Sequence, residues 1–182
     1  MKEKILMRLK ACFDFLNSLP TNRKFTLIGG FAISSFGFPR YSVDLDIAIP
    51  ESELKFFREI LRENNFMMNY SKGEFDLIYG GKYEKYTNKE LIISVDLLIN
   101  SVQSRQTNYA YPYAYIEKNS EIREIRGWLS ESRAKVRVVN KEMLLALKIN
   151  SLRTADMRDI IMLCYIIPKI EMVVEHLINC PK

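Results

Sequence analysis

The sequence of 182 residues contains one histidine, His176, and three cysteines, Cys12, Cys164 and Cys180. A single imidazole excludes zinc sites built on several histidines and argues against most histidine-based acid–base schemes. The thiols are odd in number and widely spaced, and each lies in an apolar helical stretch. They read as reduced, buried side chains rather than a disulfide or metal framework. No apolar run approaches the roughly 20 residues needed to cross a bilayer. Met1-Lys2-Glu3-Lys4 leads into a mixed amphipathic stretch rather than the apolar core of a signal peptide. The expectation is a cytoplasmic protein with no membrane partner. Internal repeats and low-complexity segments are also missing. Any chemistry must therefore rest on carboxylates, lysines and arginines.

What is present is a core-forming chain. Hydrophobic residues make up 48% and aromatics 12%, which excludes a disordered polymer. The formal charge of +5 gives a mild preference for anionic partners such as nucleotides, RNA or an acidic protein.

Residues 4–18 carry Ile5, Leu9, Cys12, Phe13 and Leu16 at helical spacing. Residues 25–28 read as a short buried strand ending in Gly29-Gly30, and 31–36 as a short helix. From 43 to 49 the residues alternate: Val43, Leu45, Ile47 and Ile49 face one way, Asp44, Asp46 and Ala48 the other. A helix follows over 51–63, then strands 66–70 and 75–79 around Lys72-Gly73. Gly80-Gly81 opens an exposed polar loop, and 91–99 is a strong strand containing Asp96. The tyrosine-rich stretch 108–115 reads as an irregular packed loop or, alternatively, as a surface on which a base stacks. Strands are expected at 121–125 and 136–139. Asn140 caps a helix reaching Ser151, Thr154 caps the next through Cys164, and Pro168 opens a final one. The fold class is α/β (α+β), a mixed sheet flanked by helices with a helical C-terminal appendage. Residues 1–139 form the core, and 140–182 a helical subdomain packed on it.

The informative block spans 27–50. A strand ending in two glycines lets the backbone turn sharply and approach a ligand closely, and a helix beginning there aims free amides at it, an arrangement suited to phosphate. The next strand presents Asp44 and Asp46, two apart and so on one face. Paired carboxylates repel unless a cation neutralises them, and magnesium prefers carboxylate oxygens plus substrate phosphates. Asp96 on a neighbouring strand would be the third acid of a two-ion phosphoryl-transfer site. Asp-x-Asp and Gly-Gly are each common alone; their combination at strand and helix junctions is what carries weight.

This block resembles the DNA polymerase beta-like nucleotidyltransferase superfamily, whose signature is a Gly-Gly or Gly-Ser turn, an acidic-x-acidic strand and a later single acid. Gly29-Gly30, Asp44-Leu45-Asp46 and Asp96 match it in order. Arg40-Tyr41-Ser42-Val43-Asp44-Leu45-Asp46 is similar to the Arg-x-Thr-x-Asp-x-Asp form of nucleotidyltransferases related to abortive-infection and toxin–antitoxin systems, with Ser42 replacing threonine. Those relatives carry a later lysine, arginine and basic-acidic pair, and Lys148, Arg153 and Arg158-Asp159 follow that order.

The resemblance implies transfer of a nucleoside monophosphate from a nucleoside triphosphate, ATP among them, to a hydroxyl acceptor. Asp44, Asp46 and Asp96 would be catalytic and metal-binding, holding two Mg2+ ions, with Mn2+ as a substitute. Gly29, Gly30, Arg40 and Lys148 would meet the nucleotide. No serine occupies the second glycine position, so the hydroxyl contact of Gly-Ser relatives would fall to Ser34 or Ser35. The acceptor stays open among an RNA or tRNA end, a protein side chain and a small molecule. An antitoxin partner is implied by the relatives alone. Plainer roles compete. Asp96 can be a solvent-side strand acid, Lys148 a snorkelling helix lysine, Arg40 a turn residue in salt contact with Asp44 or Asp46. Asp159 can pair on the helix surface with Arg153 or Arg158. The alternative to an enzyme is a non-catalytic nucleotide- or RNA-binding module of the same fold, and a purely structural interaction protein is a third option.

Overall fold

The structure, a computed structural model, describes residues 2–104 and 106–178. Leu9, Cys12, Phe13 and Leu16 lie on one stripe of the first helix, α1 (Lys2–Ser18), and all four are buried. After α1 come β1 (Thr26–Ile28), α2 (Gly29–Ser34), β2 (Asp44–Ile49), a 3-10 turn and α3 (Leu54–Glu63). The middle of the chain forms β3 (Met67–Asp76), β4 (Gly81–Asn88), β5 (Ile93–Ile99), β6 (Ser101–Gln103), β7 (Ala110–Pro112) and α4 (Tyr113–Lys118). The remainder forms β8 (Ser120–Arg126), β9 (Arg133–Val139), α5 (Lys141–Ser151), α6 (Thr154–Tyr165) and α7 (Ile170–Ile178).

Seven strands form one mixed sheet in the order β3-β4-β5-β2-β1-β9-β8, and β6 and β7 make a separate ribbon. β2 runs parallel to β5 and β1 parallel to β9; the other pairs are antiparallel. This is the α+β class expected, with helices closing the chain. Leu45, Ile47 and Ile49 on β2, and Val95, Leu97 and Ile99 on β5, are wholly buried. The alternation that hides these residues leaves the acids of both strands on the opposite face. α5 packs against α2, with α6 and α7 against α5. The α5 start is as anticipated: the Asn140 side chain accepts from the Met143 amide at 2.8 Å. No helix among the described residues is long and apolar enough to cross a membrane.

Four local expectations are corrected. Residues 66–79 are not two strands around Lys72-Gly73; β3 runs through that dipeptide and the chain turns at 77–80. The polar segment after Gly80-Gly81 is the strand β4 rather than a loop. Its half-buried residues alternate with buried Glu84, Tyr86 and Asn88. The tyrosine-rich stretch is neither irregular nor an open stacking surface, because it forms β7 and α4 and buries Tyr111 and Tyr113. Thr154 is the first residue of α6 and does not cap it. Arg153 stands at the cap position, and the Asp156 carboxylate accepts the Arg153 amide at 3.1 Å. The expectation of buried thiols holds for Cys12 and fails for Cys164, which is exposed on α6, while Cys180 lies outside the described residues. Burial, with the nearby Asp44 charge, pushes the Cys12 thiol up to about 12, leaving it inert.

Candidate active site

Strand register aligns one row of residues across the sheet. Lys85 on β4 pairs with Asp96 on β5, Asp96 with Asp46 on β2, and Asp46 with Ile28 at the end of β1. Neighbouring strands lie about 4.8 Å apart, so side chains in register on one face are in contact range. Asp44 sits two residues before Asp46, opposite Ser94. Gly29 has φ +66°, and a Cβ there would overlap the Asp46 carboxylate. A Cβ on Gly30 would overlap the Arg40 guanidinium. Both glycines are thus required by what crowds them: Gly29 by the acid, Gly30 by the base.

The acidic face is under electrostatic load. Burial first, then the Asp96 and Asp44 charges, raise the Asp46 carboxyl from 3.8 to about 6, against the opposing influence of Lys148 and Arg153. The Ser94 hydroxyl donates to Asp44 Oδ1, and Lys85 Nζ donates to Asp96 Oδ1 at 3.0 Å and to Ser94 Oγ at 3.3 Å. Among the described residues no group of three Asp, Glu, His or Cys side chains converges to hold a metal ion. Asp44 and Asp96 are instead turned toward Ser94 and Lys85. The donor chemistry nevertheless suits a hard dication, because three carboxylates stand on adjacent strands and a cation beside Asp46 would relieve its load.

A second cluster stands where α5 meets α6. Lys148 is buried, and its ammonium lies 2.8 Å from Asp156 and 2.9 Å from Asp159. Asp156 also accepts from Arg153 Nε at 2.8 Å and from Ser151 Oγ at 2.7 Å. Although burial opposes it, the Arg153, Lys148 and Ser151 hydrogen bonds hold the Asp156 carboxyl well below the usual range. Arg40 Nη2 reaches Asp159 at 3.3 Å. Two buried acids therefore tie together cations from three separate segments.

One cleft of about 930 Å3 joins these parts. Gly29, Asp46, Asp96, Lys85, Lys148 and Arg153 all line it. Of the other expected site residues, Asp44 flanks the row as an exposed residue and Gly30 is buried beside Arg40. Arg40 is not in contact with Asp44 or Asp46; its partner is Asp159. Ser34 is not in the cleft at all, because it lies at the far end of α2, lining a separate groove with Arg123 and Arg126.

Residues 13–168 match the model of the nucleotidyl transferase AbiEii toxin, Type IV toxin–antitoxin system. The chain belongs to this AbiEii nucleotidyltransferase family. No curated protein sequence matches it. Among solved structures, the antibiotic-resistance factor ANT(2'')-Ia superposes with a TM-score of 0.54 at 16% identity, covering 97% of this chain and 88% of that one. The lincomycin-bound lincosamide adenylyltransferase LnuA gives 0.50 at 16% identity, covering 90% and 97%. A Thermotoga maritima protein described as a candidate nucleotidyltransferase gives 0.52 at 16%, covering 87% and 92%. At such low identity these likenesses establish the fold.

Around the cleft of this AbiEii nucleotidyltransferase, the residues that sequence reading misses include Asp156 and Lys85. Asp156 carried a signal, since its spacing of three from Arg153 is that of a helix-start cap pair. Lys85 is hidden because the polar composition of β4 reads as a loop.

The charge load on this AbiEii-family site has a measurable consequence. The folded Asp46 holds its proton more tightly than the unfolded side chain, so ionisation penalises the fold above pH 6 and the penalty fades as pH falls from about 6 toward 3.8. Asp156 is depressed, so its contribution is present above 3.8 and lost below it. The melting temperature without divalent ions is expected to rise on acidification from pH 8 to 5, then fall below pH 4. Asp46→Asn should flatten the rise. A wild-type curve without that rise would contradict the assigned load.

Proposed function

We propose that this nucleotidyltransferase moves a nucleoside monophosphate from a nucleoside triphosphate to a hydroxyl acceptor, in a cytoplasmic setting. The observation that carries this is the row Gly29, Asp46 and Asp96 at the floor of one cleft edged by Lys148 and Arg153. The acceptor oxygen attacks the α-phosphorus, the bond from that phosphorus to the bridging oxygen breaks, and pyrophosphate departs. Asp96 would take the acceptor proton. Gly29, lacking a side chain, lets the triphosphate approach the backbone. Arg153, a largely exposed guanidinium on the cleft wall, meets the leaving phosphates, with Lys148 deeper behind it. Arg40 acts from behind Gly30 by holding the turn, a different task from the phosphate contact first expected.

Magnesium fits the donor set, and Asp44, Asp46 and Asp96 would hold it, supplying charge neutralisation and a more acidic acceptor hydroxyl. Lys85 would then release Asp96. The basic balance favours an RNA or tRNA end as acceptor over a small molecule, while a protein side chain uses the same core. The family's toxin–antitoxin setting supports an antitoxin partner.

One observation favours a second reading. Lys85 already neutralises Asp96, as it would in a non-catalytic nucleotide- or RNA-binding module. Incubating the protein with each α-labelled triphosphate, total RNA and lysate protein, with Mg2+ or Mn2+, separates the two. Label is expected on a macromolecular acceptor, and on no acceptor after Asp46→Asn. Nucleotide binding without any label transfer would establish the binding module.

A further inference from the structure

We infer that Asn150 reads the nucleobase, and that its amide is locked in the orientation that favours ATP and CTP over GTP and UTP. The inference rests on the cleft being a nucleoside triphosphate site.

Asn150 is buried in the last turn of α5 and lines the same cleft as Gly29, Asp46 and Lys148. Its Nδ2 donates to the Tyr111 hydroxyl at 2.7 Å. That hydroxyl donates in turn to the main-chain carbonyl of His176, at 3.1 Å. A carbonyl can only accept, so the single proton of the tyrosine is committed to His176, and toward Asn150 the tyrosine oxygen can only accept. The NH2 end of the amide must therefore face Tyr111. Turned over, the amide would set its own carbonyl against an oxygen with no proton to give.

The lock is well supported. Tyr111 is 1% exposed and stacks on Tyr115, whose hydroxyl meets His176 Nδ1 at 2.8 Å. Ser104 Oγ donates to the Asn150 main-chain carbonyl at 2.9 Å, fixing the backbone that carries the amide. The free end is Oδ1. It is not among the buried side-chain oxygens lacking a partner, and no donor among the described residues bonds it. It is presented to the cleft as an acceptor.

A lone acceptor distinguishes bases by chemistry. Adenine and cytosine carry exocyclic amines, N6–H2 and N4–H2, where guanine and uracil carry keto oxygens. An amine satisfies Oδ1, whereas a keto group opposes one acceptor with another and leaves both without a proton.

The test uses the full chain with Mg2+ and compares ATP, CTP, GTP and UTP with two probes. Inosine triphosphate has a 6-keto group, and purine riboside triphosphate has nothing at that position. ATP should bind roughly 10- to 100-fold more tightly than either probe, and CTP than UTP by a similar factor. Asn150→Ala should bring ATP and inosine triphosphate to within about twofold. Tyr111→Phe removes the lock, so the amide turns over and inosine triphosphate gains affinity while ATP keeps most of its own. Equal binding of ATP and inosine triphosphate by the wild type would overturn the inference, as would discrimination that survives Asn150→Ala. Failure of every triphosphate to bind would overturn the nucleotide site itself, an outcome distinct from equal binding.

Discussion

Asp46→Asn is expected to lower nucleotidyl transfer by at least about a thousandfold while raising the melting temperature of the metal-free protein. The two effects have one cause. Asp46 is a half-buried acid beside Asp96 and Asp44, and its carboxyl lies near 6 because ionisation there is unfavourable. Asparagine keeps the shape and removes the charge, so repulsion falls and the fold gains. The same change removes the central anionic donor of the row, so a cation and the triphosphate charge it would offset are held less well. Single-turnover transfer of labelled nucleotide and thermal melts at pH 8 measure both. Activity within about tenfold of wild type would show that the carboxylate is dispensable. A fall in stability would show that Asp46 is held by attraction, against the load assigned to it.

Lys148→Met should destabilise the protein by about 3 kcal/mol or more, because it strips a shared cation from two buried acids. Lys148 is 2.8 Å from Asp156 and 2.9 Å from Asp159, and both acids are essentially inaccessible. Asp156 keeps Arg153 and Ser151, which places the cost toward the lower end of the range for broken buried pairs. Among the described residues Asp159 keeps only Arg40 at 3.3 Å and the more distant Arg158. The double variant Lys148→Met with Asp159→Asn should therefore recover part of the loss, since it removes the acid left worst off. Denaturant melts would measure each term. A loss below about 1 kcal/mol would mean that water reaches the cluster and screens it.

Much of this arrangement was legible in the sequence, and for a physical reason. β2 obeys a strict period of two, so Leu45, Ile47 and Ile49 identify the buried face and Asp44 and Asp46 the open one without further information. Gly29-Gly30 was equally clear, though only the structure gives the reason: one glycine makes room for Asp46 and the other for Arg40. The errors share a different origin. Lys72-Gly73 looks like a turn, yet β3 is an outer strand with most of its residues exposed, where a glycine costs little packing. β4 looks like a loop because its buried positions include Glu84 and Asn88, polar residues satisfied by Arg58, Tyr86 and the Asn64 carbonyl. Arg40 pairs with Asp159 rather than the adjacent acids because the intervening chain brings α6 behind the glycine turn. No local pattern reports a contact between segments so far apart.

The sheet order also governs when the enzyme can come into being. Asp44, Asp46 and Asp96 have all been synthesised once β5 leaves the ribosome. Even then β1, which ends in the glycine turn, still lacks its second neighbour, since Leu27 pairs with Val138 of β9. The clamp around Lys148 needs α5 and α6, later still. Pairings this distant in the chain form late in folding. A nascent chain thus carries the three acids long before the glycine turn and the Lys148 clamp can be set against them, and a chain ending before β9 lacks both the second neighbour of β1 and the clamp.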